Sequence, residues 1–109
     1  MPAYLLLFFA IVSEVAATTA LKASDGFTRP LPVLVVVVGY ALAFWLLAAT
    51  LKQLPLGLTY AVWAGLGIVG SAVLSYFLFS ESFGVMKMAG MTLILAGVVI
   101  ANLSPSGVP

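Results

Sequence analysis

Residues 33–51 read VLVVVVGYALAFWLLAATL, an uninterrupted apolar run. It contains neither a charged residue nor a proline. A helix of roughly 20 residues crosses the hydrocarbon core of a bilayer, so the stretch is long enough and apolar enough to span a membrane. Its apolar residues are continuous rather than alternating, which argues against a strand of a transmembrane β-barrel. We therefore predict a membrane-spanning helix over residues 33–51.

Three further apolar stretches flank this one, at residues 4–21, 58–79 and 88–103. Short segments rich in charged residues, Pro, Gly and Ser separate them, as expected for loops at the membrane surface. Four spans use nearly all of the 109 residues. The sequence thus predicts an all-α integral membrane protein with one four-helix domain over residues 1–109.

The composition excludes several classes of protein. Hydrophobic residues make up 64% of the chain and charged residues 6%, which is too few charges to cover a water-facing surface. The net charge of +1 and the lack of a basic stripe argue against nucleic-acid binding. The chain has no Cys and no His, so thiolate chemistry, His-based catalysis and the usual zinc sites are excluded. We do not expect an enzyme.

The loop charges specify the membrane orientation only weakly. The first and third loops carry Lys22, Arg29 and Lys87, whereas the second carries Lys52. Positive residues favour the cytoplasmic side, but three against one is a small bias. Two interpretations stay open: the first and third loops are cytoplasmic, or single molecules insert in both orientations.

Glu14 is the one charged residue deep inside a predicted span. An acid at the bilayer centre costs about 2.5–3.5 kcal/mol on insertion scales, so the default interpretation is functional, a proton or cation site. The alternative is a protonated Glu that makes one interhelical hydrogen bond. Ala10, Ala17 and Thr18 lie on the same helix face and are small, which leaves room for a ligand or a close helix.

No Lys or Arg lies inside a span to pair permanently with Glu14. Its counter-ion is therefore predicted to be transient: a proton, a metal ion or an organic cation. A metal ion is the weakest of these candidates, because one carboxylate without His is a poor ligand set.

Aromatic residues follow helical spacing in the second and third spans. Tyr40 and Phe44 are four residues apart, and Tyr60 and Trp63 are three apart, so each pair shares a helix face. Aromatic faces beside a carboxylate can bind lipophilic or quaternary ammonium cations. The alternative is ordinary aromatic packing. Tyr4 suits the membrane interface, where Tyr and Trp are enriched.

Glycines mark two further features. Gly65 and Gly67 lie inside the third span, where they predict either a hinge or a close helix contact. The fourth span repeats small residues at a spacing of seven, including Gly90 and Gly97. This stripe predicts a packing face for a like helix.

Three motifs together resemble the small multidrug resistance family of bacterial four-helix exporters. They are SEVAATT at residues 13–19, KASDGFTR at 22–29 and LPLGLTYAVWAGLG at 54–67. The resemblance covers the whole chain, and the spacing of the acid, the loop and the Tyr-Ala-x-Trp block is specific. Two positions depart from the family pattern, Ala43 and Ala64, where relatives often carry a hydroxyl.

The resemblance implies a multi-pass protein of the bacterial inner (plasma) membrane that works as an antiparallel, dual-topology homodimer or with a paired homologue. It implies that protons and substrate share Glu14 and that the proton gradient, with no cofactor, drives export. Gly90 and Gly97 would form the dimer contact. The resemblance further implies that the Glu14 site is lined by Tyr40, Tyr60 and Trp63, with Tyr4 and Phe44 nearby. Helical spacing around Glu14 adds Ala10 and Thr18 to the predicted site.

The leading hypothesis is a proton-coupled exporter of hydrophobic or quaternary ammonium cations, in which bending around Gly65 and Gly67 changes the open side. The site lining, with Tyr40 and with Ala43 and Ala64, suits large apolar cations. The alternatives are a guanidinium exporter of the same family and a non-transporting accessory membrane subunit in which Glu14 joins helices. A passive channel is disfavoured because no span supplies a continuous polar lining.

Overall fold

Four helices make up the secondary structure of the part of the chain that the structure, a computed structural model, describes (residues 2–82 and 84–103). They are α1 (Ala3–Ala23), α2 (Pro30–Leu51), α3 (Leu56–Phe79) and α4 (Val85–Leu103). All four are long and apolar enough to cross a membrane. No strand occurs within these residues. The predicted all-α class is therefore confirmed.

The helices extend beyond the apolar spans mainly at their beginnings. Helix α2 begins at Pro30 rather than at residue 33, since Pro is well suited to the first turn of a helix. Helix α1 continues past residue 21 and includes Lys22 in its last turn, where the helix dipole stabilises a cation. Hydropathy detects only the membrane-embedded part of each helix, whereas the backbone hydrogen bonds continue into the interface.

A tight turn joins α1 to α2. Ser24 is fully buried; its hydroxyl donates to the carbonyl of Leu21 at 2.7 Å and accepts from the backbone N–H of Phe27 at 3.0 Å. Asp25, Gly26 and Phe27 adopt positive φ angles, which only Gly reaches without strain. This turn reverses the chain and brings α2 back along α1.

The first compact unit contains α1 and α2, which pack against each other. The two helices approach closely at Gly39 of α2, where an added Cβ would lie 2.8 Å from Cβ of Ala17. Ala17 itself is fully buried. Small residues at a helix crossing let membrane helices approach closely. The room that Ala17 offers on the Glu14 face of α1 is thus used for helix contact.

The second compact unit contains α3 and α4. A Cβ on Gly65 would lie 2.5 Å from Cγ2 of Val98, so Gly65 provides close packing against α4. Helix α3 runs without interruption through Gly65 and Gly67, and both residues are buried. Close packing, one of the two interpretations of this pair, is therefore observed at Gly65, and the hinge stays a prediction.

The outward surface of α4 is open. None of its residues is buried, and a Cβ on Gly90 or Gly97 would meet no atom within 4 Å among the residues described. Large apolar side chains elsewhere are exposed as well, for example Val37 and Phe77. Such a surface is suited to lipid or to another apolar helix rather than to water.

Candidate functional site

The Glu14 carboxyl lies at mid-length of α1 and is half-buried. Thr18, one helical turn further along, donates its hydroxyl proton to Oε1 of Glu14 at 3.0 Å. The nearest cation along α1 is Lys22, which lies about 12 Å away along the helix axis at 1.5 Å per residue. A carboxylate here therefore has a neutral hydrogen-bond donor one turn away, and the cation of its own helix is more than two turns away.

Thr18 differs from the other threonines whose side chains bond inside the helices. Thr19, Thr50 and Thr92 each donate to the carbonyl four residues earlier in their own helix. This is the usual way in which a hydroxyl is satisfied within an apolar helix. The Thr18 hydroxyl instead bonds to two side chains, Glu14 and Tyr40. That exception marks Thr18 as part of a polar cluster rather than as a helix residue that bonds to its own backbone.

The cluster crosses from α1 to α2 through Tyr40. Its hydroxyl oxygen lies 2.6 Å from Oγ1 of Thr18. When Glu14 is ionised, Thr18 donates its one hydroxyl proton to the carboxylate, so the Tyr40 hydroxyl is then the donor to Thr18. The resulting chain runs from Tyr40 through Thr18 to Glu14, and each bond polarises the next toward the carboxylate. Three residues that sequence reasoning assigned to the site are thus joined by hydrogen bonds.

Tyr40 also supplies an aromatic surface together with Phe44. The two rings stack with centroids 6.3 Å apart and an interplanar angle of 27°, which confirms that they share a helix face. Phe44 is 58% exposed, and Tyr40 is half-buried. An aromatic surface beside a carboxylate attracts cations through the ring quadrupole.

The α3 aromatics occupy different environments within the second unit. Trp63 is 8% exposed, whereas Tyr60 is 62% exposed. Thr59 lies one turn before Trp63 and is fully buried, and its Oγ1 has no hydrogen-bond partner among the described residues. A buried hydroxyl without a partner costs roughly 1–3 kcal/mol. Thr59 is thus a notable residue of α3 that sequence reasoning did not single out.

Two remaining predicted site residues lie on α1. Ala10 is fully buried, and Tyr4 is largely exposed one residue after the helix begins. Ala10 is thus a packing residue of this structure, while the position of Tyr4 at a helix end suits the membrane interface. The structure leaves the assigned ligand contacts of both residues as predictions.

An open apolar groove lies between α1 and α2, with a volume of about 450 Å³. Its lining consists of Val12, Ser13, Ala16, Leu34, Val35, Val38 and Gly39. Glu14, Thr18 and Tyr40 are not among these residues, so this groove is separate from the polar cluster.

Sequence reasoning missed Gly39. It is the single glycine of α2 and directly precedes Tyr40. That placement was the available signal, because a glycine among β-branched and large apolar residues indicates close backbone approach.

Comparison with known proteins decides the family. A family model described as Small Multidrug Resistance protein matches residues 2–94. The chain belongs to the Small Multidrug Resistance family. It is 46% identical over 103 residues to the quaternary ammonium compound-resistance protein QacE of Escherichia coli, with 94% of each chain covered. It is 43% identical over 106 residues to the multidrug transporter EmrE of Escherichia coli K12, with 97% of this chain and 96% of that protein covered.

The family also includes relatives outside the enteric bacteria. The multidrug resistance protein EbrA of Bacillus licheniformis is 45% identical over 101 residues, with 93% of this chain and 96% of that protein covered. Membership in the Small Multidrug Resistance family confirms the resemblance derived from the motifs. It makes this chain a multi-pass membrane transporter rather than an enzyme.

Proposed function

We propose that this transporter exports hydrophobic and quaternary ammonium cations from bacteria in exchange for protons. The observation that carries the proposal is the chain of hydrogen bonds from Tyr40 of α2 through Thr18 to Glu14 of α1, where the nearest cation along the helix, Lys22, is eight residues away. A carboxylate of this kind needs a mobile positive charge. A proton and an organic cation both meet that need, and they compete for it.

The cluster gives each state of Glu14 a distinct hydrogen-bond pattern. When the carboxyl is ionised, it accepts from Thr18, and Tyr40 donates to Thr18. When Glu14 takes up a proton, it no longer needs a donor, and the hydrogen bond between Tyr40 and Thr18 is free to reverse its direction. The protonation state of Glu14 therefore affects the hydrogen bonding of Tyr40, whose ring stacks on Phe44.

The names of the relatives support the substrate class. QacE is named for resistance to quaternary ammonium compounds, and EmrE is named as a multidrug transporter. The stacked Tyr40–Phe44 pair offers the apolar, π-rich surface that such cations prefer, whereas guanidinium favours planar hydrogen bonding. Tyr60 and Trp63 stay predicted contributors of aromatic surface, and bending around Gly65 and Gly67 stays the predicted means of alternating access.

We further propose that two copies of this chain assemble as an antiparallel homodimer in the inner membrane, with the two copies inserted in opposite orientations. The open small-residue stripe of α4 at Gly90 and Gly97 supports this proposal. In such a dimer the inward-open and outward-open states are the same shape turned over, so they have equal energy until a proton or a substrate biases them. The proton gradient supplies the driving force, and no cofactor is required.

Calorimetry on purified protein tests the proposed function. Adding tetraphenylphosphonium to the detergent-solubilised chain should release protons, and the measured heat should change with the ionisation enthalpy of the buffer. Affinity should weaken as the pH falls, because protons occupy the same carboxyl. Guanidinium should bind more weakly and release fewer protons. Preferential binding of guanidinium would support the guanidinium exporter instead, and binding of neither cation would support an accessory subunit.

The proposed dimer contact is tested by adding bulk to the stripe. Gly97→Leu should convert the dimer to a monomer, because a large side chain prevents close approach of two α4 helices. Light scattering in detergent measures the mass of the complex. Val99→Leu, on the opposite face of the same helix, is the control and should leave the mass unchanged. A Gly97→Leu variant of dimer mass would contradict this contact.

A further inference from the structure

The residues at which α1 and α2 approach each other are the sequence neighbours of the polar cluster. An added Cβ on Gly39 would lie 2.8 Å from Cβ of Ala17 and 3.2 Å from the carbonyl oxygen of Ser13. Ser13, Ala17 and Gly39 directly precede Glu14, Thr18 and Tyr40, respectively. This close approach and the hydrogen-bonded cluster therefore lie at the same level of the helix pair.

The hydrogen bond between the two helices is sensitive to their separation. The Tyr40 and Thr18 oxygens are 2.6 Å apart, which is near the short end of the range for two hydroxyls. Non-bonded carbon atoms prefer about 3.5–4.0 Å, so a Cβ at position 39 would require a shift of about 1 Å. The Cβ of Ala17 is attached directly to the backbone and cannot rotate away. The helices themselves would have to separate, and the Tyr40 hydroxyl would move with α2.

We propose that Gly39 is a positioning residue, whose missing side chain sets the distance at which the Tyr40 hydroxyl reaches Thr18 and, through it, Glu14. Gly39 contacts neither proton nor cation. It acts because the helix crossing at Ala17 determines where Tyr40 lies. The effect on cations rests on the proposed function, whereas the effect on the Tyr40 hydroxyl does not.

Gly39→Ala is the direct test, and Gly57→Ala is its matched control. The control makes the same chemical change at a position where a Cβ meets no atom within 4 Å among the described residues. The phenol band of Tyr40, obtained by vibrational spectroscopy as the difference from Tyr40→Phe, reports the hydrogen bonding of the hydroxyl without any ligand. It should shift in Gly39→Ala and stay unchanged in Gly57→Ala. Affinity for tetraphenylphosphonium should fall about tenfold in Gly39→Ala, the scale of one lost hydrogen bond near a charge.

Two double variants separate positioning from general packing. Gly39→Ala combined with Ala17→Gly removes the clashing Cβ and should restore both the band and most of the affinity. In a Tyr40→Phe background, Gly39→Ala should have less than about a twofold effect, because the hydroxyl that it misplaces is already absent.

Several outcomes would overturn the proposal. An unchanged Tyr40 band in Gly39→Ala, no rescue by Ala17→Gly, or an equal loss of affinity in the Tyr40→Phe background would each do so. If Gly39→Ala fails to fold, the double variant Gly39→Ala with Ala17→Gly provides the test. If that variant also fails to fold, contact with the Ala17 Cβ is not the cause and the proposal is refuted. If the wild type binds no tetraphenylphosphonium while the band responds as expected, the proposed function fails and the role of Gly39 stands.

Discussion

Replacing Glu14 with Gln is expected to abolish proton-coupled export while leaving the four helices intact. Gln retains an oxygen that accepts from Thr18, which lies 3.0 Å from the carboxyl, so the hydrogen bond survives. It cannot take up or release a proton, and it offers no charge to a cation. Binding of tetraphenylphosphonium should become undetectable or lose its dependence on pH. This is the largest effect we expect from any single substitution.

Transport in proteoliposomes measures this loss directly. A pH gradient across the vesicle should drive cation uptake by the wild type and none by Glu14→Gln. Glu14→Asp serves as the control, since it keeps the charge and shortens the reach, and it should retain pH-dependent binding at reduced affinity. Helical content by circular dichroism and the mass of the complex should match the wild type in both variants. Unimpaired gradient-driven uptake by Glu14→Gln would refute the exchange mechanism and favour Glu14 as a helix-joining residue.

Removing the hydroxyl of Thr18 is expected to have the second largest effect. Thr18→Val has nearly the same shape, but it breaks the contacts with both Glu14 and Tyr40. A hydrogen bond to a charged group contributes about 1.5–3 kcal/mol, which corresponds to roughly 10- to 150-fold in affinity. The ionised form of Glu14 loses its donor. Competition between protons and cations should therefore shift toward the proton.

Thr18→Ser is the matched control, because it keeps the hydroxyl and removes only a methyl group. Calorimetry over a range of pH should show weak tetraphenylphosphonium binding by Thr18→Val and nearly normal binding by Thr18→Ser. Thr19→Val, one residue along, should behave like the wild type, since the Thr19 hydroxyl bonds only to the carbonyl of Val15. Equal losses in Thr18→Val and Thr19→Val would show that any hydroxyl deletion in α1 is harmful and would remove the special role of Thr18.

Hydropathy was sufficient to predict the four helices because each long apolar run must satisfy its backbone internally within lipid. Glu14 was equally visible, since an acid in such a run is costly and thus conspicuous. The spacing of Tyr40 and Phe44 predicted their shared face, and the stacked rings confirm it. These features depend on one segment at a time, so sequence pattern is enough to find them.

The partner of the Thr18 hydroxyl could not be predicted in the same way. Thr18 and Thr19 are the same residue type in the same helix. Thr18 nevertheless bonds across to Tyr40, whereas Thr19 bonds to the backbone of its own helix. Which of them faces α2 depends on the rotation of α1 against its neighbour. That rotation depends on packing between residues distant in sequence, such as the close approach of Ala17 and Gly39.

The sequence alone is enough to predict four membrane-spanning helices and one acid deep inside a span, because the cost of placing polar groups in lipid arises residue by residue. Only the tertiary structure decided that Tyr40 reaches that acid through Thr18, and that Gly65 packs against Val98. Those contacts follow from the separation of two helix axes to within about 1 Å, and the range of a hydrogen bond or a van der Waals contact is no wider.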